Sequence, residues 1–237
     1  MNSGPSIWTR PARSARGPSP EHSRAELAAA GITLADASGL ATVTMRSVAA
    51  AIGTAPASLY RYVTTRDELV ELMADQVYGG YSYHEPVSGE PVADLLALAR
   101  QGIAIYREHP WLLDIPATGN LPGPNALAFI EHALAAIAAT GLSGPAKLQT
   151  VGLFSGAVRL LAQTERDQQR SGQDTASWQQ RLTGYFAGII AAGQHPHLAA
   201  ALADQPPEGT PVTPEQLFDL AMTRIVTGLV PPAPHLK

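Results

Sequence analysis

Cysteine is absent from the 237 residues, which removes a disulfide framework, a thiolate zinc site and a cysteine nucleophile together. Aromatic residues are scarce at 6%. No apolar run approaches the roughly 20 residues of a membrane span; the most continuous, Phe186 to Gly193, is far too short. The first 20 residues carry Arg10, Arg13 and Arg16 but no hydrophobic core segment, so no secretory signal is expected and the expectation is a soluble cytosolic protein. Enzyme signatures are missing as well: there is no HExxH, GxSxG, P-loop or dinucleotide GxGxxG. Ser155 lies in GLFSGAV, whose glycines are misplaced for a nucleophile elbow. His195 and His197 in HPHL have no third ligand nearby and a proline between them, which reads as a surface loop. Catalytic residues, a metal and a cofactor are therefore not expected.

What the chain has in abundance is alanine, 40 residues of it. Ala loses no side-chain entropy in a helix, and strand-type alternation is scarce, so the predicted fold class is all-α with about nine or ten helices. The length suits one large domain, or a small domain with a larger one. The net charge of −4 hides an asymmetry. Residues 1–66 sum to +4 and residues 67–237 to −8. A basic head on an acidic body fits a DNA-binding unit, and fits a solvated basic tail equally well.

Residues 1–20, rich in Ser, Pro, Gly and Arg, read as a flexible basic arm. Helical spacing starts with Glu21 in a first turn, runs through Leu27, Ala30, Leu34 and Ala37, and ends at Gly39. Thr44 is placed to cap a short helix from Met45 to Ile52, with Gly53 supplying the turn. Thr54 is placed to cap a third, Ala55 to Tyr62, in which Pro56 is tolerated in the first turn. Thr65 with Glu68 fits a capping box opening a fourth toward Tyr78. The stretch GGYSYHEPVSGEP, Gly79 to Pro91, reads as a hinge. Further helical patterns follow at about 92–109, 122–140, 145–170, 176–193 and 214–230. The domain reading is an arm at 1–20, a head with its connecting helix at 21–80, and a body at 90–237.

The most informative segment is TMRSVAAAIGTAPASLYRYVTTRDEL, residues 44–69. Two short helices joined at Gly53 make a helix-turn-helix, whose second helix can enter the major groove. Val48, Ala49, Ile52, Leu59 and Val63 would form its small core. With LADASGLATVTMRSVA before it and TTRDELVELMADQV after it, the segment resembles the TetR family of bacterial transcriptional regulators over roughly residues 21–78. YREHPWLLDIP at 106–116 and the later helices look like the tetracycline-repressor type of C-terminal domain. Gly31 inside the first helix, Thr54 and Ala55 in the turn, and the long arginine arm depart from the family pattern.

The resemblance implies roles at matching positions. Arg46, Ser58 and Arg61 would read base edges, and Thr44, Tyr60, Tyr62 and Arg66 would hold phosphates of double-stranded operator DNA. Arg10, Arg13 and Arg16 fit a minor groove or the phosphates, but read better as a disordered tail. The resemblance also implies a homodimer through helices near 146–163 and 215–230. Leu148, Val151, Phe154, Ser155, Val158, Leu161 and Ala162 line one, and Leu217, Leu220, Ala221, Ile225 and Leu229 the other; either stripe also fits a monomer's core. Tyr106, His109, Trp111, Phe129, His132, Gln149, Phe154 and Trp178 are the candidate lining of a small-molecule effector pocket, by type and region. The expected function is a ligand-responsive DNA-binding regulator, a repressor released from a palindromic operator by a small molecule. The alternative is a helical interaction protein or enzyme whose head does not bind DNA.

Overall fold

A computed structural model of the chain describes residues 6–10, 22–83, 86–116, 121–170, 175–191, 193, 195–203 and 213–231, with backbone alone at 175–179, 191 and 203. The described residues form ten α-helices and two 3-10 turns, without a strand. The head comprises α1 (Arg24–Ser38), α2 (Met45–Ala51), α3 (Pro56–Leu59) and α4 (Arg66–Tyr78). The body comprises α5 (Pro91–Glu108), α6 (Pro124–Ala136), α7 (Gly144–Arg170), α8 (Thr175–Ala191), α9 (Pro196–Ala203) and α10 (Pro214–Leu229).

Capping side chains set most head boundaries. Ser23 and Glu26 exchange hydrogen bonds in a capping box, so α1 opens at Arg24 and not at Glu21 as the spacing predicts. Gly39 ends it with φ +84°, a conformation that glycine adopts without a Cβ clash. Thr44 and Ser47 form a second box at α2, and Gly53, at φ +74°, makes the turn that follows. The third helix departs from expectation. Thr54 does not cap it; Ala55 holds the cap position without a side-chain bond, and only Pro56–Leu59 are α-helical. The chain continues in looser turns, with the N–H groups of Tyr62 and Val63 both donating to the Leu59 carbonyl. Thr65 caps α4 by accepting from the Glu68 N–H at 3.1 Å, but Glu68 does not close a box; its carboxylate accepts from the Thr64 N–H instead. Val48, Ala49, Leu59 and Val63 are fully buried, as the spacing predicts. Gly31 has a packing reason: a Cβ there would lie 2.6 Å from Met73 Sδ, where α1 crosses α4.

In the body, α5, α6, α7 and α10 surround one core that includes Leu95, Ile103, Phe129, Phe154, Val158 and Met222. The HPHL stretch is not only loop: Pro196 opens α9, where a first-turn proline is at home. His195 and His197 are exposed there.

Among the described polar contacts between head and body, three are made by carboxylates of the head. Asp36 of α1 accepts from Trp111 Nε1 at 2.7 Å and lies 2.8 Å from His109 Nδ1. Both partners sit at the 3-10 turn Pro110–Asp114 or its cap. Arg159 of α7 holds that turn by donating to the carbonyls of Leu112, Leu113 and Ile115. The third contact is a cap delivered by another helix. Gly123 precedes α6 without a capping side chain, and the Asp75 carboxylate of α4 takes the role. It accepts from the N–H groups of Asn125 and Ala126 at 3.1 and 3.0 Å, and from Asn125 Nδ2 at 3.1 Å. Asp75 is 7% exposed.

Asp75→Ala leaves those buried amides without a partner and should destabilise the fold by about 2–4 kcal/mol. Gly123→Ala puts a Cβ 2.4 Å from the same carboxylate and should cost about 1–3 kcal/mol. The double variant should lose less than the sum, because removing the carboxylate makes room for the methyl. Urea denaturation of the four proteins measures all three quantities.

Candidate functional site

The outward face of the helix-turn-helix is small and lightly charged. Arg46 on α2 and Arg61 just past α3 are exposed. The Arg61 guanidinium lies 5.1 Å from the Tyr62 ring centroid, a cation–π distance that orients it. Ser58 is half-buried on α3. Tyr60 is 57% exposed, so it does not close the core and its hydroxyl is available. The Tyr62 hydroxyl accepts from the His22 N–H at 3.3 Å, which leaves its proton to donate. Thr44 Oγ1 caps α2 at the same exposed edge.

Arg66 is different. Its Nε and Nη2 donate to the carbonyls of Val43 at 2.6 Å and Leu40 at 2.7 Å. Expected to hold phosphate, this guanidinium is engaged on the carbonyls of the 3-10 turn Leu40–Thr42 and its cap, and thereby ties α4 to the head.

Ser6–Arg10 also corrects the sequence reading of a flexible arm. These residues form a turn in which Ile7 is 1% exposed within the head core. Arg10 donates to Glu68 Oε2 at 2.6 Å and to Thr64 Oγ1 at 2.6 Å. Arg24 donates to the carbonyls of Ile7, Arg10 and Tyr62. Burial pushes the Glu68 carboxyl up, but the bonds from Arg10 and the Thr64 N–H outweigh it and hold it below the ordinary carboxylate range. Arg13 and Arg16 lie outside the described residues.

Between α4, α6, α7 and the 110–114 turn lies a cavity of about 470 Å³, within the usual size range of ligand sites. One face of α4 forms a wall, with Glu71, Ala74, Asp75 and Tyr78 at i, i+3, i+4 and i+7. Trp8 closes another side and donates from Nε1 to the Leu121 carbonyl at 3.2 Å. Tyr106, Leu112, Ile115, Ile130, Ser155 and Arg159 complete most of the lining. Burial pushes the Tyr78 phenol far above its ordinary value, so it is neutral at any physiological pH.

Of the seven pocket candidates whose side chains are described, only Tyr106 lines this cavity. Phe129 and Phe154 are core residues stacked on each other, with centroids 6.5 Å apart, beside a void of only about 20 Å³. His109 and Trp111 belong to the Asp36 junction. His132 packs on Tyr83 of the hinge. Gln149 is exposed on the outer side of α7. The Trp178 side chain lies outside the described residues. Sequence reasoning missed Trp8, Glu71, Asp75, Tyr78 and Ile130; the four-residue face of α4 was visible as a helical stripe, whereas nothing but an Ile-Trp pair marked Trp8.

A helix-turn-helix with arginine, serine and tyrosine on its outward side, carried on a helical body with a half-open cavity, defines a DNA-binding regulator. The chain belongs to the TetR family: residues 27–73 match the family model for bacterial regulatory proteins of the tetR family, and residues 85–231 match the tetracyclin repressor-like C-terminal domain. It is 32% identical over 203 residues to the HTH-type transcriptional repressor DrrR1 of Streptomyces coeruleorubidus, covering 84% of this chain and 75% of that one. The structure resembles ActR of Streptomyces coelicolor solved with actinorhodin, with a TM-score of 0.73 and 25% identity over 88% of this chain and 95% of ActR. ActR solved with (S)-DNPA gives a TM-score of 0.69, also at 25% identity, over 88% and 97%. The chain is thus a DNA-binding transcriptional regulator, and no helix among its described residues is long and apolar enough to cross a membrane.

Two outcomes test the local geometry. Arg66→Ala should lower head stability by about 1.5–3 kcal/mol through the lost charged hydrogen bonds, visible as a lower Tm without DNA. Glu68→Gln should loosen Ser6–Arg10 and speed hydrogen exchange at the Thr9 and Arg10 amides, which donate to the Ser6 carbonyl. Acid should do the same to wild type. A carboxyl held below its unfolded value of about 4.3 stabilises the fold above that pH and loses the contribution as pH falls through its folded value.

Proposed function

We propose that the protein is a homodimeric, cytoplasmic repressor, held on a near-palindromic operator and released when a small molecule occupies the cavity. The observation that carries this reading is the double duty of α4. One face of the helix is a cavity wall, and its first turn is bonded through Arg66 to the head. A ligand that favours one placement of α4 shifts the whole population by its difference in affinity for the two states. The ligands named with ActR and the repressor name of DrrR1 support the same direction. On DNA, Arg46, Ser58 and Arg61 read base edges while Thr44, Tyr60 and Tyr62 hold phosphates.

The dimer face is the outer side of α7 and α10. Val151, Phe154, Val158 and Ala162 are buried in the protein's own core, so they are not available to a partner. Leu148, Leu153, Leu160, Leu217 and Leu220 are each about half exposed or more and supply the apolar surface. Gly152 and Gly156 lie between the α7 leucines with nothing within 4 Å of an added Cβ and also line the cavity, so a second helix packed there approaches closely at the cavity's edge.

Footprinting should give paired protection with half-site centres about one helical turn, or a multiple, apart. Leu160→Glu with Leu220→Glu should sediment as a monomer and bind the operator at least about 100-fold more weakly. Arg61→Ala should cost about 1–3 kcal/mol on the operator and relax one base position per half-site; an equal loss on all sequences would overturn its role as a base reader. Ile130→Trp, which fills the cavity, should abolish ligand release while operator affinity stays within about tenfold.

A further inference from the structure

The polar groups on the cavity wall differ in what they have left to offer. Asp75 is engaged by the Asn125 and Ala126 amides. Arg159, the one cation among the described lining residues, donates to three backbone carbonyls at 2.6–3.1 Å. The Ser155 hydroxyl donates to the Val151 carbonyl at 2.8 Å. Glu71 has no hydrogen-bond or ion-pair partner among the described residues, although it is half-buried.

A carboxylate in that position is poorly solvated and crowded by its own sign. Burial first, then the neighbouring Glu68 and Asp67 carboxylates, pushes its proton affinity above the ordinary value. A positive charge brought to Glu71 relieves both causes, whereas an anion adds a third repulsion. Apart from Glu71 and the already engaged Asp75, Ser155 and Arg159, the described lining is aromatic and aliphatic with three glycines. Tyr78 lies seven residues from Glu71 on the same helix face, roughly 10 Å along the axis, with Tyr106 and Trp8 also in the lining. A flat ring system finds faces and edges to stack on at one end, and an ammonium finds a lone carboxylate at the other.

Resting on the reading of this cavity as the effector site, we infer that its ligands are elongated aromatic cations, with the ring system beside Tyr78 and Tyr106 and the positive group paired to Glu71. The pair forms on α4 itself, so the ligand's charge acts on the helix that carries the head. Glu71 is then the residue that sets ligand class, and the aromatic walls set shape.

Three probes of one shape test it on the full-length protein: 2-(aminomethyl)anthracene, cationic at neutral pH, 2-(hydroxymethyl)anthracene, neutral, and anthracene-2-carboxylate, anionic. Binding is read by anthracene fluorescence and release by operator titration. The cation should bind at least tenfold more tightly than the alcohol, and the carboxylate weakest. Glu71→Gln, near-isosteric, should erase the cation's advantage while leaving alcohol binding within about threefold. Glu71→Lys should reverse the preference toward the carboxylate, and a thermal melt of each variant separates lost charge from lost fold. Equal binding of cation and alcohol by wild type, or an advantage that survives Glu71→Gln, overturns the assignment of ligand class. If the alcohol still releases the operator in that case, and Ile130→Trp blocks it, the effector cavity stands without the charge rule. No binding of any probe, with the operator complex unaffected, overturns both.

Discussion

The buried carboxylate of Asp75 is the contact on which the arrangement of head and body depends. It belongs to α4, yet it caps α6, whose own cap position is the glycine at 123. Two amide donors at the start of a helix and the positive end of the helix dipole converge on one anion. Such a contact tolerates little displacement, because each amide it releases becomes an unpartnered buried donor. The connecting helix is therefore held against the body in one orientation. Gly123 is part of the same constraint: a Cβ there would occupy the space of the carboxylate and of the Trp8 ring.

From this attachment α4 runs into the head, where it shares a core with α1, α2 and α3. Trp111, Leu112 and Ile115 of the body belong to that same core, so the two units are not beads on a linker. A change at the cavity wall has two physical routes to the helix-turn-helix. One is α4 with its Arg66 bonds to Leu40 and Val43. The other is the 110–114 turn, fixed by Arg159 below and by Asp36 above. Trp8 touches the cavity and Arg10 touches the α4 N-terminus within one short turn, which makes the N-terminal segment a third contact between the same two places.

The fold was legible where the deciding interactions are local. Capping residues at 44 and 65 and glycines at 39 and 53 act within four residues of the boundary they set, and all four stand where the sequence reading put them. The α3 boundary failed because Thr54 lies one residue too early to cap. The cavity was not legible from residue type. Large aromatic side chains such as Phe129, Phe154 and Trp111 are the best core fillers, so they were drawn into packed interior rather than left on a wall. The wall came instead from a helix assigned to the head, facing an N-terminal segment that composition marked as arm. Both facts depend on contacts across 50 to more than 100 residues of chain, and no local pattern carries them.

The same distinction governs the charge of the head. A sum of +4 over residues 1–66 suggests a broad electrostatic surface for a phosphate backbone. Three of the seven arginines behind that sum are internal fasteners: Arg10 on Glu68, Arg24 on three carbonyls and Arg66 on two. Arg is suited to this work, since its planar fork satisfies several carbonyls at once. Among the described residues, that leaves Arg46 and Arg61 on the outward face of the helix-turn-helix. Net charge counts a guanidinium the same whether it faces a phosphate or a carbonyl of its own fold. On the contacts proposed above, the described part of the head would draw more of its hold on DNA from neutral donors, the hydroxyls of Thr44, Ser58, Tyr60 and Tyr62, and from the backbone that presents them. Neutral donors release fewer counterions than cations do, so such an interface discriminates by fit more than by attraction.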